Sequence, residues 1–460
     1  MHRVVRLACA LLCVASGLNS ADLEEVIEAS SPVAAHAVSR SKVFVAEEGD
    51  LIRVSARRAP QSEGIFGIRV QIYDTRKNLL ATDDPEIEQA YFEWRAPRKD
   101  SYVVGVQNVS PADGFFSITL IRGSKAGVAI GDAESAEVRV FYATNRSPAN
   151  DGRQAPYYTS VSQFGESYVM GTALVTIPRE HRLGELEAPA IYRLEFKPNP
   201  EKHVILKTVS PESAKNVFDE IRKKAYEQKQ HEAFVFIHGF NVPFEDAVRR
   251  TAQISYDLGF GGAPISFSWP SQGSTLAYLR DVTTADASAA ALRAFLSDLA
   301  KQSGATTIHL FAHSMGNRVL ARALETMKDA PQPRFREIAL LAPDMDAELL
   351  RQMAAAIRSR ASRVTLYSSS NDDALALSSK LAGRPRAGQR VQVIPGIDSI
   401  DASPAKTSIL DFSHSYFGDS SSVLGDLYRL LQGQTADESF GLERVASAPG
   451  TYWRFKRVAR

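Results

Sequence analysis

One serine in this chain stands where a hydroxyl could be made to react. It lies in Ala312-His313-Ser314-Met315-Gly316. Before it runs a short apolar stretch, Ile308, Leu310 and Phe311, of buried-strand length. After it Leu320, Leu324 and Met327, with Val319 and Ala323 beside them, repeat at helical spacing. The pattern predicts a strand, a sharp turn and a helix. The residues two away from the serine are Ala and Gly, and a tight strand-to-helix turn needs small neighbours there. This is the G-x-S-x-G nucleophile elbow with Ala in its first position. Such a turn lifts the hydroxyl above the sheet, at the positive end of the following helix.

A serine hydroxyl is a poor nucleophile at neutral pH. It needs a base to take its proton and an acid to orient that base. Beyond Ser314 the chain has a single histidine, His414, in Phe412-Ser413-His414-Ser415-Tyr416. It follows the last expected strand, where the base belongs in the order Ser, Asp or Glu, His. For the acid, Ser368 to Asp373 leaves the strand Val364–Tyr367 at its carboxyl end, the edge where open α/β sheets gather functional groups. Asp372 is the first choice, with Asp373 and, at the end of the preceding strand, Asp344 as alternatives. An oxyanion needs two backbone donors. The amide of Met315 is one candidate and that of Phe240, in His238-Gly239-Phe240-Asn241, is the other. His238 reads as a structural histidine of that loop and His313 as a residue shaping the elbow. Trp269, Tyr278 and Asp281 could line a substrate entrance, although packing alone explains Trp269 equally well.

The elements that would position these groups begin near Ser210. Ser210-Pro211 reads as a cap and first turn, followed by a helix with Val217, Phe218, Ile221 and Ala225 on its apolar face. Strands are expected at Ala233–Ile237, Ile265–Trp269, Ile338–Leu341, Val364–Tyr367 and Val391–Ile394. Helices between them carry Phe244, Ala247, Val248, Thr251 and Leu258, then Ala287, Ala291, Phe295 and Leu299. Strands alternating with helices imply a mostly parallel sheet. Val138–Tyr142, Leu174–Pro178 and Ile191–Phe196 read as further strands.

The amino-terminal third follows a different period. Ile68, Val70 and Ile72 alternate with Arg69 and Gln71. Ala90, Phe92 and Trp94, then Tyr102, Val104 and Val106, then Phe116, Ile118 and Leu120 do the same, with turn signals between. This is a β-sandwich pattern. Asp83, Asp84 and Asp113 could hold calcium but read better as turn residues. At the very start, His2, Arg3 and Arg6 precede the apolar run Leu7–Ala15 and then small residues, which predicts a secretory signal peptide over 1–20. Both cysteines, Cys9 and Cys13, lie inside it, so the exported chain would have no disulfide or thiolate. Basic and acidic residues nearly balance, 54 against 53, which gives no footprint for nucleic acid.

Two resemblances follow from these motifs. The sandwich layout resembles pre-peptidase C-terminal domains of secreted bacterial hydrolases. His238-Gly239-Phe240-Asn241, Phe267-Ser268-Trp269-Pro270-Ser271, the elbow, Ser369-Asn371-Asp372 and His414 resemble a bacterial α/β-hydrolase family of esterase/lipase-like proteins without settled function. The second resemblance implies a serine hydrolase with Ser314, Asp372 and His414 as its triad. The expectation is therefore an exported, periplasmic or secreted protein: signal peptide 1–20, β-sandwich 28–125, α/β-hydrolase 136–433 and a tail 434–460. It would cleave a small-molecule or lipid-like carboxylic ester, with no metal or organic cofactor and no transmembrane segment. Its acyl and leaving groups and its oligomeric state are not legible.

Overall fold

The structure is a computed structural model. It describes residues 23–28, 37–46, 48, 51–58, 67–82, 86–87, 89–109, 116–123, 135–150, 152–163, 165–178, 186, 199, 202–227, 231–272, 278–327, 335–404, 421–439, 442–448 and 450–456. Two compact units divide the chain, 1–125 and 126–460. The expected signal peptide, both cysteines, Asp83, Asp84, Asp113, Ile191–Phe196 and His414 lie outside the described residues.

The first unit has two antiparallel sheets. One runs β1 (Leu23–Glu28), β9 (Phe116–Gly123), β3 (Leu51–Arg58), β7 (Gln89–Arg95). The other runs β2 (Val38–Ala46), β8 (Asp100–Asn108), β4 (Gly67–Asp74), β5 (Leu79–Thr82), with β6 (Glu86–Ile87) also on β4. Alternation decides which residues meet between them. Ile52, Val54 and Ala56 of β3 share one core with Ile68, Val70, Ile72, Tyr102, Val104 and Val106 of the other sheet.

The second unit is organised by an eleven-stranded sheet. Its middle is parallel: β10 (Ser135–Thr144), β16 (Ala263–Ser268), β15 (Glu232–Ile237), β17 (Thr307–His313), β18 (Phe335–Leu341), β19 (Ala361–Ser368), β20 (Asp398–Asp401) and β22 (Gly450–Phe455). Antiparallel strands finish both edges: β13 (Val169–Pro178) and β14 (Ile205–Glu212) on one side, β21 (Leu442–Ser447) on the other. A small ribbon pairs β11 (Arg146–Pro148) with β12 (Tyr158–Ser162). Among the described residues, seven α-helices flank these strands: α1 (Ala214–Tyr226), α2 (Phe244–Asp257), α3 (Tyr278–Gln302), α4 (Gly316–Thr326), α5 (Ala347–Ser359), α6 (Asp373–Ala382) and α7 (Ser421–Leu431). Successive residues of a central strand enter different cores, as the pleat requires. Ala233, Val235 and Ile237 enter the core that also holds residues of α1, α3, α4 and α5; Phe234 and Phe236 enter the core that holds residues of α2 and α7.

Four expectations need correction. Ser210-Pro211 does not open a helix. These residues pair with Thr172 and Gly171 as part of β14, an edge strand, where proline's missing N–H is tolerated. The cap is Ser213, whose Oγ accepts from the Asn216 amide at 3.3 Å. Val391–Ile394 is not a strand; a turn through Gly396 (φ 76°) delays pairing to β20. Ala287 is exposed, and Asp281, Ala285 and Ser288 supply the buried stripe of early α3. Residues 434–460 are no detached tail, because β22 hydrogen-bonds β20 within the main sheet.

Candidate active site

The order of the parallel strands creates the site. β15 lies between β16 and β17, so the connections leaving it and its neighbour diverge at their carboxyl ends, the place where open α/β sheets gather functional groups. Ser314 follows β17 at that edge. Its φ is +51°, a left-handed conformation that costs energy for a non-glycine residue and is held by its surroundings. The Ser314 amide donates to Leu341 O at 2.9 Å. Its carbonyl accepts from the amides of Asp344 and Asn317, both at 3.1 Å, and from Asn317 Nδ2 at 3.0 Å. Asn317 Nδ2 also lies 3.1 Å from Leu341 O, stapling the elbow to the end of β18. Ser314 is 1% exposed, and its Oγ has no hydrogen-bond partner among the described residues.

Two glycines make the close approach possible. A Cβ on Gly316 would strike the carbonyls of His238 and Ile237. A Cβ on Gly239 would sit 2.9 Å from Ser314 Cβ and 3.1 Å from His313 Nδ1. The His238-Gly239-Phe240 turn therefore rests directly on the elbow. Among the described residues, neither the Phe240 nor the Met315 amide donates to a backbone carbonyl.

The three candidate acids sit differently. Asp372 follows β19 and is buried; its Oδ1 caps α6 through the Leu375 amide at 2.8 Å. Asp373 is exposed in the first turn of α6. Asp344 is buried after β18 and is tied to Tyr278 Oη at 3.1 Å, Ser378 Oγ at 2.5 Å and Arg386 Nε at 3.2 Å. The Asp372 loop is stitched to the chain leaving β20. Ala402 N donates to Ser368 O at 2.7 Å, and Asn371 Nδ2 to Ser403 O at 2.8 Å. That chain continues toward His414.

Tyr278 and Trp269 both lie beside these loops. The Tyr278 ring meets Phe240 edge-on, with centroids 5.4 Å apart. Burial, then the Asp344 charge, pushes its hydroxyl pKa up to about 12. Trp269 is fully buried, stacks on His238, and donates from Nε1 to His238 O at 2.7 Å, which is the packing role. Asp281 is also fully buried; it accepts from Ser271 Oγ at 2.6 Å and the Gln272 amide at 3.0 Å. His238 is buried, and desolvation holds its pKa down at about 3, so it stays neutral.

Sequence reasoning gave no role to Arg146, Ser268, Ser378, Arg386 or Asn317. Arg146 is 1% exposed and donates to Ser268 Oγ and to the carbonyls of Thr159, Ser271 and Val242. A signal was available: Thr144-Asn145-Arg146 are polar residues placed directly after a strand buried in the sheet. A cavity of about 320 Å³ lined by Asp286, Ala289, Ala290, Arg293, Arg322 and Thr326 opens between α3 and α4, and none of the candidate residues lines it. Among the described residues no cluster of potential metal ligands occurs and no helix is long and apolar enough to cross a membrane.

The parallel sheet, the elbow that follows β17 and the flanking helices define an α/β hydrolase. Residues 212–433 match the family described as alpha/beta hydrolase of unknown function (DUF900). No curated protein matches the chain. Among solved structures, similarity is low. Aeromonas hydrophila PliG, a periplasmic inhibitor of g-type lysozyme, is 12% identical over 23% of this chain and 88% of its own, with a TM-score of 0.16. The SPBc2 prophage-derived protein YomS is 10% identical over 23% of this chain and 99% of its own, with a TM-score of 0.16. The Gap123 complex from Streptococcus agalactiae is 10% identical over 76% of this chain and 77% of its own, with a TM-score of 0.17. At these values none of the three informs fold or function.

Proposed function

We propose that this chain is an exported serine hydrolase that cleaves carboxylic esters through an acyl-enzyme. Ser314 Oγ attacks the ester carbonyl while His414 takes its proton. The Met315 and Phe240 amides receive the oxyanion. The tetrahedral adduct collapses, the leaving alcohol takes the proton back from His414, and water then repeats the sequence to release the acid. Asp372 orients His414. Adjacent strands lie about 4.8 Å apart, so loops leaving β17 and β19 are about 10 Å apart, a gap that an imidazole between Ser and Asp fits.

The observation carrying this reading is Ser314 itself: φ +51°, enclosed by Gly239 and Gly316, with a buried hydroxyl that no described residue engages. A buried hydroxyl without a partner costs about 1–3 kcal/mol. A base arriving on the segment after β20 would remove that cost. The Asn371–Ser403 contact supports the arrival, since it holds the start of that segment against the Asp372 loop.

The test is labelling by a fluorophosphonate probe together with turnover of p-nitrophenyl esters of rising chain length. Wild type should be labelled and active. Ser314→Ala should lose labelling and drop kcat by about 10⁶. An unlabelled, inactive wild type that binds envelope material would instead make the fold a non-catalytic module. Turnover confined to thioesters or peptides would keep the triad and change the substrate.

A further inference from the structure

We infer that His238 is a positioning residue for the oxyanion site, acting at the end of a buried relay that runs from Arg146 through Ser268 to the Gly239–Phe240 peptide. The inference rests on the hydrolase reading of Ser314 and adds the device that aims one of its donors.

The relay has one chemically consistent direction. His238 Nδ1 lies 2.8 Å from Gly239 O. A carbonyl oxygen only accepts, so Nδ1 carries the hydrogen. Nε2 then holds a lone pair. Ser268 Oγ, 3.3 Å away, donates its hydrogen to it. Ser268 Oγ keeps an acceptor site, which Arg146 Nε fills from 2.9 Å. Each donor meets one acceptor, and the guanidinium, which can never accept, fixes the order. Burial holds His238 neutral, so the tautomer does not change over the working pH range.

Peptide geometry carries the effect to the site. In a planar trans peptide the C=O and the next N–H point in opposite directions. Drawing the Gly239 carbonyl onto the imidazole therefore sends the Phe240 N–H the other way. Gly239 rests against Ser314, so the plane being fixed is the one beside the nucleophile. Free rotation of that plane would let the carbonyl, with its wrong polarity, approach the developing oxyanion. Other contacts resist such a flip. Trp269 stacks on the imidazole at 5.2 Å and binds His238 O. Arg146 Nη2 grips Val242 O at 2.7 Å, at the far end of the same turn. One guanidinium thus holds both ends of the turn.

A histidine that merely fills space predicts loss of folding on substitution and normal turnover by whatever folds. A positioning role predicts a fall in kcat with KM little changed. The experiment measures kcat and KM on a p-nitrophenyl ester, the fluorophosphonate labelling rate and thermal unfolding for wild type, His238→Ala, His238→Asn and Ser268→Ala. His238→Ala should lower kcat by about 10²–10³, the cost of one oxyanion donor. His238→Asn should recover part of the loss, because its amide can donate from near the Nδ1 position. Ser268→Ala should fall in the same direction by less, and labelling should slow in step with kcat. Folded His238→Ala with unchanged kcat, or an Asn variant no better than Ala, would overturn the inference. If His238→Ala does not fold, folded Ser268→Ala with wild-type kcat overturns it. A wild type that is neither labelled nor active overturns the hydrolase reading and this inference together, whereas an active wild type with indifferent variants overturns the inference alone.

Discussion

Around His238 the buried polar side chains point mostly at backbone. Arg146 reaches the carbonyls of Thr159, Val242 and Ser271, and His238 reaches that of Gly239. Beneath α7, on the side of the sheet that buries Phe234 and Phe236, carboxylates pair with side-chain donors, and Arg363 and Arg429 reach the Gln434 carbonyl as well. Glu337 Oε2 meets Arg363 Nε at 2.5 Å, and its Oε1 accepts from Thr365 Oγ1 at 2.9 Å. Asp426 meets Arg429 Nε at 2.6 Å and Tyr367 Oη at 2.5 Å. The first arrangement fixes the course of loops; the second fixes a helix to a sheet. Loops at the carboxyl edge must hold unfavourable backbone angles, as Asn241, Ser314 and Ala342 do with φ of +59°, +51° and +46°. Side chain-to-carbonyl bonds are suited to that task. Carboxylate-centred pairs such as Asp426–Arg429 and Glu337–Arg363 hold elements that are already regular.

Substitutions at the two places should separate rate from stability. After loss of the nucleophile, the largest effect belongs to the acid. Asp372→Asn should lower kcat by about 10⁴ while leaving a folded protein, read by ester turnover beside circular dichroism. Asp344→Asn should weaken the Tyr278–Ser378–Arg386 cluster and cost stability, with kcat of the folded fraction close to wild type. A collapse of kcat in the second and not the first would move the acid to Asp344. Next, Asp426→Ala should cost about 3–5 kcal/mol in denaturant unfolding, because it strands the buried Arg429, with kcat unaffected. Activity lost in parallel with α7 docking would erase the distinction between the two regions.

The smallest effect is a pH slope. Burial raises the Glu337 pKa from 4.5 to about 7, partly offset by Arg363. The folded state therefore holds this proton more tightly than the unfolded chain. Its stabilising contribution is complete below 4.5 and is lost as pH rises through 7. His238 works the other way. With its pKa lowered from 6.5 to about 3, its contribution is complete above 6.5 and is lost as pH falls through 3. The stability difference between wild type and Glu337→Gln should thus decline as pH is raised from 4.5 to 7, measured by denaturant midpoints at fixed salt. A difference that stays flat would mean that Arg363 keeps Glu337 ionised throughout.

What could be read from the sequence was what local pattern dictates. Ile68, Val70 and Ile72 alternate and are buried as expected. Val217, Phe218, Ile221 and Ala225 face the core as their spacing required. The α/β-hydrolase class followed from strands alternating with helices around an elbow. Boundaries failed where a partner strand overrode a local signal: Ser210-Pro211 carries strong helix-start chemistry, yet pairing with Thr172 and Gly171 claims it for β14. The support of the site was hidden for a related reason. Arg146 and Ser268 are 122 positions apart, and Tyr278 and Ser378 are 100 apart. Only the sheet order brings such pairs together, and nothing local in either member announces the other.

The hairpin of β21 and β22 reaches further than its position at the chain end suggests. β20 has four residues, and β22 occupies its outer flank. The family match stops at 433, before either hairpin strand begins. A fragment trimmed to that boundary would retain every candidate catalytic residue and lose the cover on β20. Its bared amides and carbonyls would offer a template for joining other molecules edge to edge. Expression clones designed from the matched block alone would then precipitate for a reason unrelated to chemistry at Ser314.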